Sequence, residues 1–196
     1  MSIETDLPRC FWVGDDELMC AYHDAEWGVP VYDDRELFER LLLECFQAGL
    51  SWRTILHKRE NFRRAFDNFD PVKIVAYDEE KIASLLADPG IVRNRLKVRG
   101  AVRNARAFLR LVEEHGSFSA WLWRLVEGTP RLPSAPLTGE MIPAETDMAR
   151  SLSKALRQAD FTFVGPTICY AFMQSVGVVD DHVVGCHKYR GPAEEI

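Results

Sequence analysis

The chain has 196 residues, of which 47% are hydrophobic and 28% charged, and 30 acidic against 24 basic side chains leave a net charge of −6. A globular chain of this length buries about 70% of the surface it would expose unfolded, so it needs no disulfide scaffold. The composition excludes a disordered tail, a collagen-like rod and a uniformly basic nucleic-acid coat protein, while leaving room for a local basic face on an acidic body.

In chain order, the N-terminus MSIETDLPRC is polar, with no apolar core of signal-peptide length, and nowhere do 18 apolar residues run together. A cytoplasmic protein with reduced cysteines is expected, and five cysteines, an odd number, suit that compartment. The first clear helix follows Asp33 and Asp34, with Leu37, Phe38, Leu41, Leu42, Cys45 and Phe46 on one arc of a 3.6-residue wheel and Gly49 at its end. A second runs from about Arg53 to Phe66. Asp70-Pro71 reads as a cap with proline at the first helical position, and Asp78-Glu79-Glu80 opens another short helix. Asp88-Pro89-Gly90 is a turn, followed by a long helix from Ile91 to His115 that Gly116 stops. Trp121, Leu122 and Leu125 mark a further short helix. Between Glu127 and Thr146 stand Pro130, Pro133, Pro136 and Pro143, the signature of a long loop wrapped on the surface. Helix resumes near Asp147 with Met148, Leu152, Ala155 and Leu156, turns at Phe163-Val164-Gly165-Pro166, and continues from Thr167 to Met173 until Gly177. With no internal repeat and little period-two alternation, the fold class is all-α.

Four constellations carry chemistry. His182 and Cys186 lie one helical turn apart, and Cys10 and His23 lie near the other end, so two Cys and two His are available for a closed tetrahedral zinc site. Spacing leaves Cys20 and His187 open as ligands, and unrelated core residues as the alternative. The turn at Phe163-Val164-Gly165 can present backbone N–H groups to a phosphate, as a helix-hairpin-helix does, or can be an ordinary helix connection. Arg93, Arg95, Lys97, Arg99, Arg103, Arg106 and Arg110 follow one another with no acid between them, which suits a phosphate backbone or a solvated helix face. Glu44 falls about 20° from Leu37 on the wheel, either as an edge charge or as a buried acceptor. Trp52 and Tyr22 are walls for a base pocket near it, or core aromatics.

The stretches Cys10-Phe11-Trp12, Ala21 to Pro30, Leu43-Glu44, Gln47 to Trp52, Phe163 to Gln174 and Asp181 to Cys186 together resemble the DNA-3-methyladenine glycosylases of type I, within the helix-hairpin-helix superfamily. The similarity runs from about residue 10 to residue 189. It implies a DNA base-excision repair glycosylase that flips 3-methyladenine out of alkylated double-stranded DNA, hydrolyses its N-glycosidic bond and leaves an abasic site. Carried over by position, the ligands of one structural zinc are Cys10, His23, His182 and Cys186. Tyr22, Glu44 and Trp52 form the base pocket, Gly49 and Leu50 the wedge into the gap left by the base, and Gly165 with Thr167 a phosphate contact. Glu44 is the candidate catalytic group. The family often carries Asn where this chain has Asp180, and Asp180 is a second catalytic candidate or the N-cap of a short helix. Met19 stands where the family often has an aromatic, which implies a roomier pocket.

One helical unit, 1–196, is expected, with terminal segments 1–30 and 178–196 stapled by zinc around a helical body, 31–177, whose hairpin lies near 163–167. A monomer without an obligate protein partner or a membrane attachment completes the expectation. No lysine stands at an evident nucleophile position in the matched motifs, so the expected enzyme is monofunctional. A lesion-binding protein without cleavage and an open-zinc metallohydrolase are the competing readings.

Overall fold

Side-chain caps begin almost every helix of the chain. In the computed structural model, which describes residues 7–128, 131–133 and 135–192, the α-helices are α1 (Glu17–Ala25), α2 (Asp34–Gln47), α3 (Trp52–Ala65), α4 (Pro71–Val75), α5 (Glu79–Ala87), α6 (Arg95–His115), α7 (Phe118–Leu125), α8 (Asp147–Gln158) and α9 (Pro166–Ser175). Asp16, Asp33, Ser51, Asp70, Asp78, Asn94, Ser117 and Thr146 each accept from a backbone N–H in the first turn of the helix that follows. Only α9 among these helices opens without a side-chain cap, on Gly165 with Pro166 at its first turn. The described residues contain no strand beyond one isolated bridge between Arg131 and Val179, and no helix there is long and apolar enough to cross a membrane.

α2 is the central helix. Leu37, Phe38, Leu41, Leu42, Leu43 and Phe46 are all essentially inaccessible, and the helix packs against α3, α6, α7 and α9. A second apolar cluster gathers the terminal segments, with Cys10, Val13, Met19, Tyr22, Trp27, Val183 and Cys186 joined by Leu56 and Leu137. Ionic contacts tie this cluster to α2 and α3. Glu26 receives Arg59 at 2.7 Å and Arg40 at 3.2 Å, while Glu39 receives both Arg59 and Arg63 at 2.7 Å. The backbones also meet at Gly177. Its φ is +69°, and a Cβ there would fall 2.4 Å from the main chain of Val29 and Pro30, so only glycine fits.

Three local readings change. α1 is an additional helix, nucleated by Asp16, whose buried residues face the terminal cluster rather than the main core. α6 begins at Arg95, not Ile91, because the Asn94 side chain accepts from the N–H groups of both Leu96 and Lys97 and ends the preceding turn there. The proline-rich segment does not simply wrap the surface: Leu137 is buried, and its carbonyl accepts from Val184 N–H at 2.8 Å. Pro130 lies outside the described residues.

Candidate functional site

Cys10, from the segment before α1, and His23, in its last turn, converge with His182 and Cys186 of the C-terminal segment. All four are buried, and one ligand atom from each lies within 4.8 Å of the others. The Sγ of Cys186 is 3.4 Å from His23 Nε2 and 3.6 Å from His182 Nδ1, and Cys10 Sγ is 3.6 Å from the same Nδ1. A tetrahedral zinc with ordinary Zn–S and Zn–N lengths requires S–N edges of about 3.6 Å. The donor chemistry fits as well. Burial lowers both imidazole pKa values, that of His182 to about 3, so the rings are neutral. The His23 Nδ1 is engaged with Asp24 Oδ1 at 2.8 Å, which leaves Nε2 for an ion. Burial pushes the Cys10 thiol up to about 12, so a thiolate there calls for a cation beside it. Cys20 points instead to the Gly14 carbonyl, and His187 lies outside the set, with its Nδ1 on Pro8 O.

A cavity of about 540 Å³ opens beside this cluster. Tyr22 from α1, Glu44 from α2 and Trp52 from the start of α3 all line it, so the three expected pocket residues meet. Tyr22 and Trp52 have ring centroids 5.1 Å apart, inclined by 45°. Glu44 is 3% exposed, and its Oε2 has no hydrogen-bond partner; the Trp52 indole Nε1 has none either. Buried polar atoms without partners are rare and costly, and both belong to residues that line this cavity. Burial pushes the Glu44 carboxyl up to about 8, against the opposing pull of the Arg40 guanidinium. Burial, with Glu44 adding to it, holds the Tyr22 phenol well above its usual range.

Several walls were not foreseen from the pattern of residues. Phe11 and Trp12 follow the candidate ligand Cys10, Trp27 stacks near His23, and Gly139 and Ile142 reach the cavity from the proline-rich segment. Gly139 lies so close to Phe11 that a Cβ there would meet the ring at 2.5 Å. The adjacency of Phe11 and Trp12 to Cys10, and of Tyr22 to His23, is the signal that was available: residues next to ligands are held as firmly as the ligands. Met19 does line the cavity.

Asp180 does not join them. It is absent from the cavity wall. Its Oδ1 accepts from His182 N–H at 3.3 Å and its Oδ2 lies 3.5 Å from Arg190 Nε, so the side chain shapes the turn that carries a ligand. Leu50 is 43% exposed and follows Gly49, whose φ is +82°, at the tip of the α2–α3 loop. The α8–α9 turn leaves Gly165 partly open and Thr167 exposed. Asn104 of α6 brackets this turn, donating to Thr162 O and accepting from Thr162 N–H.

The basic run is less free than its sequence suggests. Lys97 is buried and donates to the carbonyls of Phe46 and Ala48. Arg99 pairs with Glu79, and Arg103 and Arg110 pair with Asp160. The acids missing between the arginines arrive from other elements. Arg93, Arg95 and Arg106 are exposed.

The model of the methyladenine glycosylase family matches residues 12–189. DNA-3-methyladenine glycosylase 1 of Escherichia coli (strain K12) is 49% identical over 185 residues, covering 94% of this chain and 98% of that protein. A crystal structure of 3-methyladenine DNA glycosylase I superposes with a TM-score of 0.88 at 47% identity, over 92% of this chain and 99% of that one. A tyrosine-to-phenylalanine variant of such an enzyme, in complex with 3-methyladenine, superposes with a TM-score of 0.88 at 35% identity, over 93% of this chain and 98% of that one.

Proposed function

The chain belongs to the methyladenine glycosylase family, and we propose from that membership how its cavity works. The protein is a base-excision repair glycosylase. It flips 3-methyladenine out of alkylated DNA, hydrolyses the N-glycosidic bond and leaves an abasic site. The observation that carries the residue assignment is the pair of partnerless atoms, Glu44 Oε2 and Trp52 Nε1, on two residues that line one aromatic-walled cavity.

The lesion explains the chemistry of these walls. Methylation at N3 leaves the ring cationic while it is attached to deoxyribose. When the C1′–N9 bond breaks, its electron pair passes to the ring and the base departs neutral. Water then forms the new C1′–O bond and loses its proton to solvent. Little acid catalysis is required, so recognition and positioning dominate. The faces of Tyr22 and Trp52 favour a cationic ring. Glu44 accepts from the exocyclic amine, and as a carboxylate it favours positive charge on the base. Neutral adenine can offer the same amine but does not gain from the aromatic faces or the carboxylate as a cation does. Glu44 is thus the group that selects and holds the base, with no need for it to act as general base.

Leu50, exposed on the Gly49 turn, is the wedge that fills the space left in the duplex. The uncapped first turn of α9, at Gly165 and Thr167, offers N–H groups to a phosphate, the arrangement of a helix-hairpin-helix. Zinc held by Cys10, His23, His182 and Cys186 is structural in this reading: four buried donors complete a tetrahedron and leave no open position for a water. Asp180 is a positioning residue behind His182. We place the protein in the cytoplasm as a monomer.

Base release tests the reading. Methylated duplex DNA is incubated with wild type, Glu44→Gln and Trp52→Ala, and free bases are separated by chromatography. Release of 3-methyladenine by wild type and its loss in both variants is expected. Release of 7-methylguanine as well would point to Met19 and a broader pocket. Tight binding of methylated DNA with no base released would leave a lesion-binding protein instead.

A further inference from the structure

Among the described residues, fourteen line the base cavity, and Arg53 is the one cation among them. It is the second residue of α3, beside Trp52, and its side chain is 50% exposed at the mouth. Its nearest acid is Asp16, at 3.8 Å from Nε. That carboxylate is already committed: the same Oδ2 lies 2.7 Å from His57 Nε2, and Oδ1 accepts from Met19 N–H at 3.0 Å as the cap of α1. An exposed pair at such a distance holds an arginine weakly. Gly14 flanks the guanidinium, and a Cβ there would come within 3.2 Å of Nη2. A cation is therefore kept at the mouth with its hydrogen-bonding edge largely unspent.

We propose that Arg53 clamps a backbone phosphate adjoining the flipped nucleotide. The inference rests on the glycosylase reading. A nucleotide whose base lies against Trp52 carries its phosphates to the mouth of the same cavity, where the next residue along α3 waits. Asp16 sets a negative charge beside that rim, so a phosphate approaching it needs a cation, and the guanidinium can receive it through two parallel N–H groups. The run Leu50 to Arg53 then reads as wedge, helix cap, base wall and phosphate clamp.

The test uses the whole protein and a duplex carrying a stable abasic-site analogue, which presents the phosphates without a base. Affinity is measured by anisotropy between about 50 and 200 mM salt, and each phosphate contact contributes roughly 0.9 to the log–log slope. Arg53→Met should lower the slope by about one contact and raise KM for methylated DNA more than it lowers kcat, while Arg53→Lys should recover most of the slope. Asp16→Asn removes the ion pair but keeps a capping side chain, and should leave the slope as in wild type. An unchanged slope in Arg53→Met, or an equal loss in Asp16→Asn, overturns the clamp. Wild type that releases no 3-methyladenine overturns the glycosylase reading instead, so the two failures are distinguishable.

Discussion

Cys10 Sγ and His182 Nδ1 lie 3.6 Å apart although 172 positions separate them in the chain. Their approach draws the two ends of the chain together and brings the aromatic walls with it. Trp27 stands 4.7 Å from the His182 ring and 5.0 Å from Trp12, and Phe11 and Trp12 follow Cys10 directly. A bound zinc would thus join the ends of the chain and fix one side of the base cavity together.

Metal removal should accordingly lower stability and disturb the cavity in one step. At a thousandfold excess over Kd, an ion that binds only the folded state contributes about 4 kcal/mol, which corresponds to roughly 8–16 °C in Tm for a chain of this size. Chelation, or Cys186→Ser, should lower Tm by that order and shift tryptophan emission through Trp12 and Trp27. Metal analysis should give one zinc per chain before chelation. A chelated, metal-free protein with unaltered Tm and emission would remove the structural role.

The legible parts of the sequence were those governed by local rules. α2 could be read from its apolar arc because nearly all of that arc is buried against four other helices. Asp33, Asp78 and the stop at Gly116 are decided by hydrogen bonds within a few residues. The helical wheel and the flanking aromatics offered Tyr22, Glu44 and Trp52 as a base pocket, the resemblance chose that alternative, and the structure brings them to one cavity. What could not be read depends on partners far along the chain. Arg103 and Arg110 looked unpaired until Asp160 was placed beside them, some 50 positions away. α1 is short, and its buried residues serve the terminal cluster, so its apolar pattern has no meaning without Cys186 and Val183. Asp180 matched by position, but its direction is set by a turn and by Arg190, which no spacing encodes.

Lys97 shows how one member of a basic run can serve DNA binding without touching DNA. Its Nζ donates to Phe46 O at 2.8 Å and to Ala48 O at 2.6 Å, closing the C-terminal end of α2 where the Gly49-Leu50 tip begins. Lys97→Met keeps the stem and leaves those carbonyls unsatisfied, at a cost of about 1–3 kcal/mol, or roughly 2–12 °C in Tm. If the loosened tip is the wedge, as proposed, KM for methylated duplex should rise more than the Kd for free 3-methyladenine. Equal effects on both would mean that Lys97 supports the cavity rather than the tip.

Glu44 couples stability and activity to pH in opposite directions. In the unfolded chain its carboxyl titrates near 4.5, and burial in the empty cavity moves this to about 8. Between those values the folded protein holds a proton that the unfolded chain has released, so stability falls as pH rises, and the full penalty is present above about pH 8. Below about pH 4.5 both states are protonated and Glu44 contributes nothing. The neighbouring Tyr22 phenol, held well above its usual range, stays neutral throughout. Glu44→Gln lacks the titration, so its Tm should exceed that of wild type by a margin that grows from pH 5 to pH 9, on the order of 3–5 kcal/mol at the top. Activity should run the other way. A cationic base favours the carboxylate, so wild-type kcat/KM, which reports the free enzyme, should climb with pH and level off near 8. In Glu44→Gln it should be low and flat. A wild-type profile without that rise, measured alongside a constant Tm margin, would show that the carboxyl is already ionised in the empty cavity.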